Sequence, residues 1–124
     1  MKIEKNSVLL VIDIQQEDFK EMREENWDDP AWDCIRNARR VLDVFREKKL
    51  PVIHIKEVHR PNMVDFGREL DGSEGIHCIE SSPDTDYAKL TYPIEGEYLI
   101  SKRRYSAFFG TDLQILLKGL HVDT

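Results

Sequence analysis

Residues Val8-Leu9-Leu10-Val11-Ile12 form an unbroken apolar run, bounded by Asn6-Ser7 on one side and by Asp13 on the other. A run of this length without polar alternation reads as a strand covered on both faces, the pattern of parallel sheets packed between helices. A carboxylate placed directly after such a strand emerges at the carboxyl edge of the sheet, where open α/β sheets bind their ligands. The run therefore narrows the fold class and nominates Asp13 as the first candidate for chemistry.

The following residues supply the rest of a strand–helix–strand unit. Beyond a polar stretch through Asn26, Asp29 is placed to cap a helix with Pro30 at its first position, and Trp32, Ile35, Ala38, Val41, Leu42 and Phe45 recur at helical spacing. Lys48 and Lys49 suit the negative end of the helix dipole, Pro51 closes the helix, and Val52-Ile53-His54-Ile55 begins a second strand. That order predicts parallel pairing. From His59 to Gly96 periodicity fades among Pro61, Gly67, Gly72, Gly75, Pro83 and Pro93, which predicts a functional loop region or a set of short elements. Leu99-Ile100 then leads into Lys102. Thr111-Asp112-Leu113-Gln114 has the pattern of a capping box opening a helix with Leu113, Leu116, Leu117 and Leu120 on adjoining faces, weakened at its end by Gly119. A further strand is expected after it, because that leucine face needs sheet to cover.

At 124 residues one folding unit is expected. Acidic residues outnumber Lys and Arg by 24 to 18, and neither a zinc-finger spacing nor a basic stripe offsets that sign, which argues against nucleic acid as a partner. The run from Val8 to Ile12 is too short for a signal-peptide core or a membrane span, so a cytoplasmic protein without membrane association is expected. Cys34 and Cys78 have no CxxC relation and read as free thiols, Cys34 as a small buried hydrophobe within the helix and Cys78 as structurally buried in the loop region.

Several residue types can do chemistry. Asp13 suits a general base, a metal ligand or an acceptor for loop N–H groups. Lys102, with Tyr105 and Phe108 as enclosing neighbours, suits an oxyanion stabiliser or a carboxylate partner; with Arg103 and Arg104 it equally suits a solvated basic face. Glu57 and His59 form an E-x-H pair that can contribute to a divalent metal site, but two ligands are too few to close one, so no metal is expected. His54 reads as an ordinary satisfied histidine, and the adjacency of His77 and Cys78 does not by itself make a Cys–His unit. Asp65, Arg68, Glu69 and Asp71 either line a pocket or order the loop through salt bridges.

In combination, LLVIDIQQEDF, VIHIKEVHRP and KRRYSAFFGTDLQILLKGLHVDT resemble the isochorismatase-like cysteine hydrolases, and DFGRELDGSEGIHC resembles the long linker of the biuret and ureidoacrylate side of that family. The resemblance implies a three-layer α/β/α fold with a mostly parallel sheet, present here as an incomplete domain, with residues 1–124 as the N-terminal part of a single hydrolase domain. It implies that Asp13 shuttles the proton of a nucleophilic cysteine, that Lys102 pairs with Asp13 and helps lower the thiol pKa, and that Gln15 and Phe19 flank the pocket, Phe19 as an apolar wall. Arg60, Arg68, Arg103 and Arg104 are candidates for recognising a small carboxylate or ureide, and Tyr105 joins Arg60 and Arg68 as a substrate contact.

The family's cysteine follows a strand that lies beyond the residues after Lys102, and neither Cys34 nor Cys78 matches its position. Nicotinamidases in this family carry Asp-x-His and a later histidine for metal, whereas Glu57-Val58-His59 departs from that set and no third ligand is evident. The expectation is thus a cofactor-free cysteine hydrolase of small amide, carbamoyl or ureido compounds, with this stretch alone inactive, unstable or associating. It would work as a homo-oligomer or with a chain supplying the C-terminal strands. Vinyl-ether hydrolysis on the same fold and a non-catalytic binding scaffold remain as alternatives.

Overall fold

The computed structural model describes residues 3–67 and 74–124. Strands β1 (Leu9–Ile12), β2 (Val52–Glu57) and β3 (Tyr98–Lys102) form a parallel sheet in the order β1-β2-β3. Leu9 lies opposite Val52, Ile12 opposite Ile55, and Glu57 opposite Lys102. Because side chains alternate along a strand, β1 and β2 each feed two cores. Leu9, Val11 and Val52 pack against Leu42 and Phe45 of helix α1 (Asp33–Glu47), whereas Val8, Leu10, Ile53, Ile55 and Ile100 pack with Leu113, Leu116 and Leu117 of helix α2 (Leu113–Gly119). The result is the expected three-layer α/β/α arrangement. No helix among the described residues is long and apolar enough to cross a membrane.

The strand buried most completely is β2, not β1. Both faces of β1 are packed, as its composition requires, but it is the outer strand of the described sheet and Ile12 stays 46% exposed. While Leu9 N–H bonds to the Pro51 carbonyl at 3.1 Å, Val8 N–H points the other way, to the Thr124 carbonyl at 2.8 Å. Asp123 N–H donates to the Asn6 carbonyl at 3.0 Å, and Asn6 Nδ2 reaches the Asp123 carboxylate at 3.1 Å. The residues after α2 thus return beside the start of β1.

Helix boundaries follow local chemistry, with three departures from expectation. Asp29 accepts from Ala31 N–H at 2.9 Å, but the first turn, Pro30–Trp32, is a 3₁₀ turn and α1 begins at Asp33. Cys34 is consequently in the first α-helical turn and exposed rather than buried, because the neighbouring Ile35 takes the core-facing position. The helix ends in a left-handed residue, Lys49 at φ 54°: Leu50 N–H bonds to Phe45 O and Lys49 N–H to Arg46 O, the paired bonds of a Schellman cap. At α2, Thr111 Oγ1 accepts Leu113 N–H at 3.2 Å and donates to the Ala107 carbonyl, with Asp112 at the N-cap making no side-chain cap. That turn replaces the expected box with Gln114. The loop after β2 contains short elements, the 3₁₀ turns Pro83–Thr85 and Lys89–Thr91, and two isolated bridges, Gln15 with Tyr87 and His59 with Ile79.

A buried charge cluster ties α1 to the sheet. Glu97 takes Arg46 at 2.7 and 2.9 Å, Ile94 N–H at 3.0 Å and His54 Nε2 at 2.7 Å. Among the described residues the buried His54 Nδ1 has no partner, so the neutral Nε2–H tautomer fits the site. Burial pushes the Glu97 carboxyl up, but the Arg46 guanidinium and the Ile94 and His54 hydrogen bonds outweigh it and hold the pKa at about 2. Burial holds His54 below its ordinary range against the pull of Glu97. Both folded-state values are depressed, so both contributions to stability are present above the ordinary pKa values and are lost as the pH falls. The urea midpoint is expected to decline below pH 6.5 through His54 and again between pH 4.5 and 2 through Glu97, the latter on the order of 3 kcal/mol. Glu97→Gln should lower the midpoint at pH 7 and flatten the acid limb; an unchanged acid limb would show that other groups control it.

Candidate active site

The carboxyl ends of all three strands meet at one charged cluster. Asp13 follows β1 with φ 55°, a left-handed conformation Asp tolerates better than most residues, and its N–H donates to the Ile55 carbonyl at 2.9 Å. This turn directs its carboxylate across the strand ends to Lys102, the last residue of β3, with Nζ 2.9 Å from Asp13 Oδ2. Lys102 is 1% exposed, and its ammonium also donates to the carbonyls of Arg104 (3.3 Å) and Tyr105 (3.2 Å). Tyr105 and Phe108 were expected to enclose it. Their side chains are 63% and 60% exposed, and backbone carbonyls with carboxylates form the enclosure instead. Burial pushes the Asp13 carboxyl above its ordinary range, outweighing the hydrogen bond and charge of Lys102, and the nearby Glu57 adds to the rise.

Glu57 is the second carboxylate of the cluster. Its Oε2 lies 3.8 Å from Lys102 Nζ, while its Oε1 faces His59 Nε2 at 2.7 Å and His77 Nε2 at 3.1 Å. Burial raises its pKa, but the two imidazoles and Lys102 prevail and the net shift is downward. His59 is fully buried, stacks on Phe66 at 3.9 Å, and reaches Asp65 through Nδ1 at 3.2 Å. His77 arrives from a distant loop whose chain is fastened beside β2 by His59 N–H to Cys78 O (2.7 Å) and Glu80 N–H to His59 O (2.9 Å), with Cys78 left-handed at φ 53°.

Glu57 also pairs with His77, a contact that the E-x-H spacing of Glu57 and His59 does not contain. Ligand atoms of Glu57, His77 and Cys78 lie within 4.8 Å of one another. In this arrangement Glu57 is a carboxylate engaged by both imidazoles through one oxygen, and burial together with the charges of Glu57, Glu17 and Asp13 pushes the Cys78 thiol up to about 12. Asp13, Gln15, Glu57, His77, Cys78 and Tyr105 line an open depression of about 440 Å³ over the cluster.

A sequence model described as "Isochorismatase domain" matches residues 7–124. The chain belongs to the isochorismatase family. It is 32% identical over 109 residues to an uncharacterized isochorismatase family protein, YddQ, of Bacillus subtilis (strain 168), covering 86% of this chain and 52% of that one. It is 30% identical over 95 residues to the N-carbamoylsarcosine amidase of an Arthrobacter species, covering 73% of this chain and 36% of the amidase. The crystal structure of N-carbamoylsarcosine amidase from Thermoplasma acidophilum superposes with a TM-score of 0.75 at 28% identity, over 94% of this chain and 63% of that one. The chain thus spans between 36% and 63% of the length of these three relatives.

The other expected pocket residues of this isochorismatase-family chain are distributed differently. Gln15 lines the depression, but its amide is fully engaged by backbone: Oε1 accepts Glu57 N–H at 2.8 Å, and Nε2 donates to the carbonyls of Glu57 (3.0 Å) and Thr85 (2.8 Å). It clamps β2 to the Pro83–Thr85 turn, leaving no amide proton for a ligand. Phe19 is not a wall of the Asp13 depression. It packs near Trp32 at 6.3 Å and lines a separate hollow with Met22, Trp27, Ile35 and Leu90, because the Gln16–Phe19 turn carries it toward α1.

Arg60 is likewise outside the depression, held on Asp65 at 2.8 Å. Arg103 bonds the Val58 carbonyl and approaches Asp65 at 3.7 Å, and Arg104 bonds the Asp65 backbone carbonyl. Asp65 thereby gathers the arginines into loop-ordering contacts. Arg68, Glu69 and Asp71 lie outside the described residues. Tyr105 remains at the rim, its hydroxyl 3.4 Å from Glu74. Sequence reasoning missed the Glu57–His77 contact; the histidine beside Cys78 was the visible signal, and its partner was not.

Proposed function

We propose that the full-length protein is a cysteine hydrolase that cleaves a C–N bond in a small amide, carbamoyl or ureido compound, with Asp13 as proton carrier and Lys102 as its charge partner. The observation that carries this reading is the Asp13–Lys102 pair, 2.9 Å apart, with its ammonium buried and its carboxylate opening into a depression. A carboxyl whose pKa is raised is better matched to taking and returning protons than an ordinary surface aspartate. The similarity to two N-carbamoylsarcosine amidases supports the substrate class.

In this mechanism Asp13 accepts the proton of a cysteine thiol, and the thiolate adds to the substrate carbonyl. Asp13 then delivers the proton to the departing nitrogen, and water hydrolyses the acyl-enzyme. The Lys102 charge favours the thiolate. Cys78, with its pKa at about 12, is too reluctant to ionise for this role, and Cys34 lies exposed on α1. The nucleophile is therefore assigned to residues beyond Thr124 running beside β1, or to a partner copy. The return of Asp123 and Thr124 to the edge of β1 supports the first source.

The test is a side-by-side assay of the full-length protein with N-carbamoyl amino acids, ureido acids, nicotinamide and isochorismate. Ammonia or amine release from the first two is expected, falling as the pH drops through the Asp13 pKa, because the proton-accepting form is the carboxylate. Turnover of isochorismate alone, or of none, would overturn the reading.

A further inference from the structure

Glu57 touches both the buried ammonium and the two imidazoles of the cluster. We propose that Glu57, pinned by His59 and His77, is a positioning residue that sets how strongly Lys102 pairs with Asp13. The proposal rests on the reading of Asp13 as proton carrier and extends it to the control of that carrier.

The register of β2 and β3 places Glu57 opposite Lys102, so the two side chains project from neighbouring strand ends. Fixing Oε1 with two imidazoles leaves Oε2 at 3.8 Å from Nζ. The three ammonium protons are directed to Asp13, Arg104 O and Tyr105 O, so Glu57 acts on Lys102 through charge rather than by taking one of those bonds. Among the described residues, the carboxylates within 4 Å of Nζ are Asp13 and Glu57. Beside an ammonium that is itself buried, a second carboxylate at this distance draws the ammonium's field away from Asp13 and repels the Asp13 charge directly.

His77 opposes this effect. Its Nδ1 faces the Gly75 carbonyl at 2.6 Å and its Nε2 faces Glu57, two acceptors that together favour a ring carrying both protons. That positive charge offsets Glu57. The other groups around the cluster are Glu17 and Asp18 from the turn after β1, Asp65 behind His59, Glu74 at 3.8 Å from His77, and the Cys78 thiol. None of them links the ammonium to an imidazole among the described contacts, as Glu57 does.

The experiment is a ¹³C-carboxyl NMR titration of Asp13 in the full-length protein, with the resonance assigned through Asp13→Asn. Glu57→Gln removes the competing charge and should move the Asp13 midpoint down. His77→Gln removes the offset and should move it up, and Glu57→Asp, which retains the charge, should bring the midpoint back toward the wild-type value. Opposite displacements separate this role from a structural one, since loosening of the loop would hydrate Asp13 and move both variants down. An unmoved midpoint in Glu57→Gln, or equal displacements in both variants, overturns the proposal. So does stoichiometric Zn²⁺ uptake that Cys78→Ser and His77→Gln abolish, because it would commit Glu57 to a cation. Failure of the hydrolase reading is a separate result, seen as full turnover in Asp13→Asn, because these midpoints are read without turnover.

Discussion

Asp13→Asn is expected to lower kcat/KM of the full-length protein by about 10³-fold, the typical contribution of a positioned proton carrier. The amide matches the carboxylate in shape, and Asn tolerates the left-handed backbone at φ 55° as well as Asp does. The Asp13 N–H bond to Ile55 and the Arg104 and Tyr105 carbonyls on Lys102 are untouched by the change. Circular dichroism should therefore remain native-like while turnover disappears. Activity within about tenfold of wild type would remove Asp13 from the chemistry.

Lys102→Met is expected to have the larger effect on stability. It leaves Asp13 and Glu57 at the strand ends without the ammonium between them; Asp13 keeps water on 43% of its side chain and Glu57 keeps both imidazoles, so the cost falls below the roughly 3–5 kcal/mol of a fully buried, unpaired charge. The pH dependence has a definite sign. Without the cation both carboxyl pKa values move up in the folded state relative to wild type, so the folded variant binds protons more readily than the wild-type fold and its deficit shrinks as the pH falls through those values. Urea unfolding at pH 7 and pH 5 should show the deficit relative to wild type narrowing at the lower pH. A deficit that is small, or equal at both values, would mean that Lys102 does not hold the two carboxylates together.

Strand and helix assignments were largely legible because their signals are local. The apolar run before Asp13, the helical spacing from Ile35 to Phe45 and the leucines of α2 each specify an element within a few residues. The errors were local too, and they have local causes. Cys34 is exposed because a one-residue offset on a helix exchanges core for solvent, with Ile35 taking the inward position. The Thr111 box was displaced because Thr111 staples the turn through Ala107 and Leu113 instead. For the site, Asp13 and Lys102 could be placed from their positions at strand ends. The arginines could not, since one loop carboxylate, Asp65, gathers Arg60, Arg103 and Arg104 into contacts that residue type alone does not reveal.

What the sequence alone determined is a strand–helix–strand unit whose first strand runs into Asp13, because strand periodicity and chain order are readable residue by residue; the pairing of Lys102 with that aspartate was implied by the family resemblance. Tertiary structure decided what surrounds that pair. Gln15 closes on Glu57 across 42 positions and on Thr85 across 70, and His77 reaches back 20 positions to the same glutamate. Contacts of that range depend on how loops cross the sheet edge, and burial there sets the proton affinities: Asp13 is raised by desolvation that Lys102 does not fully offset. Neither spacing nor composition encodes that balance.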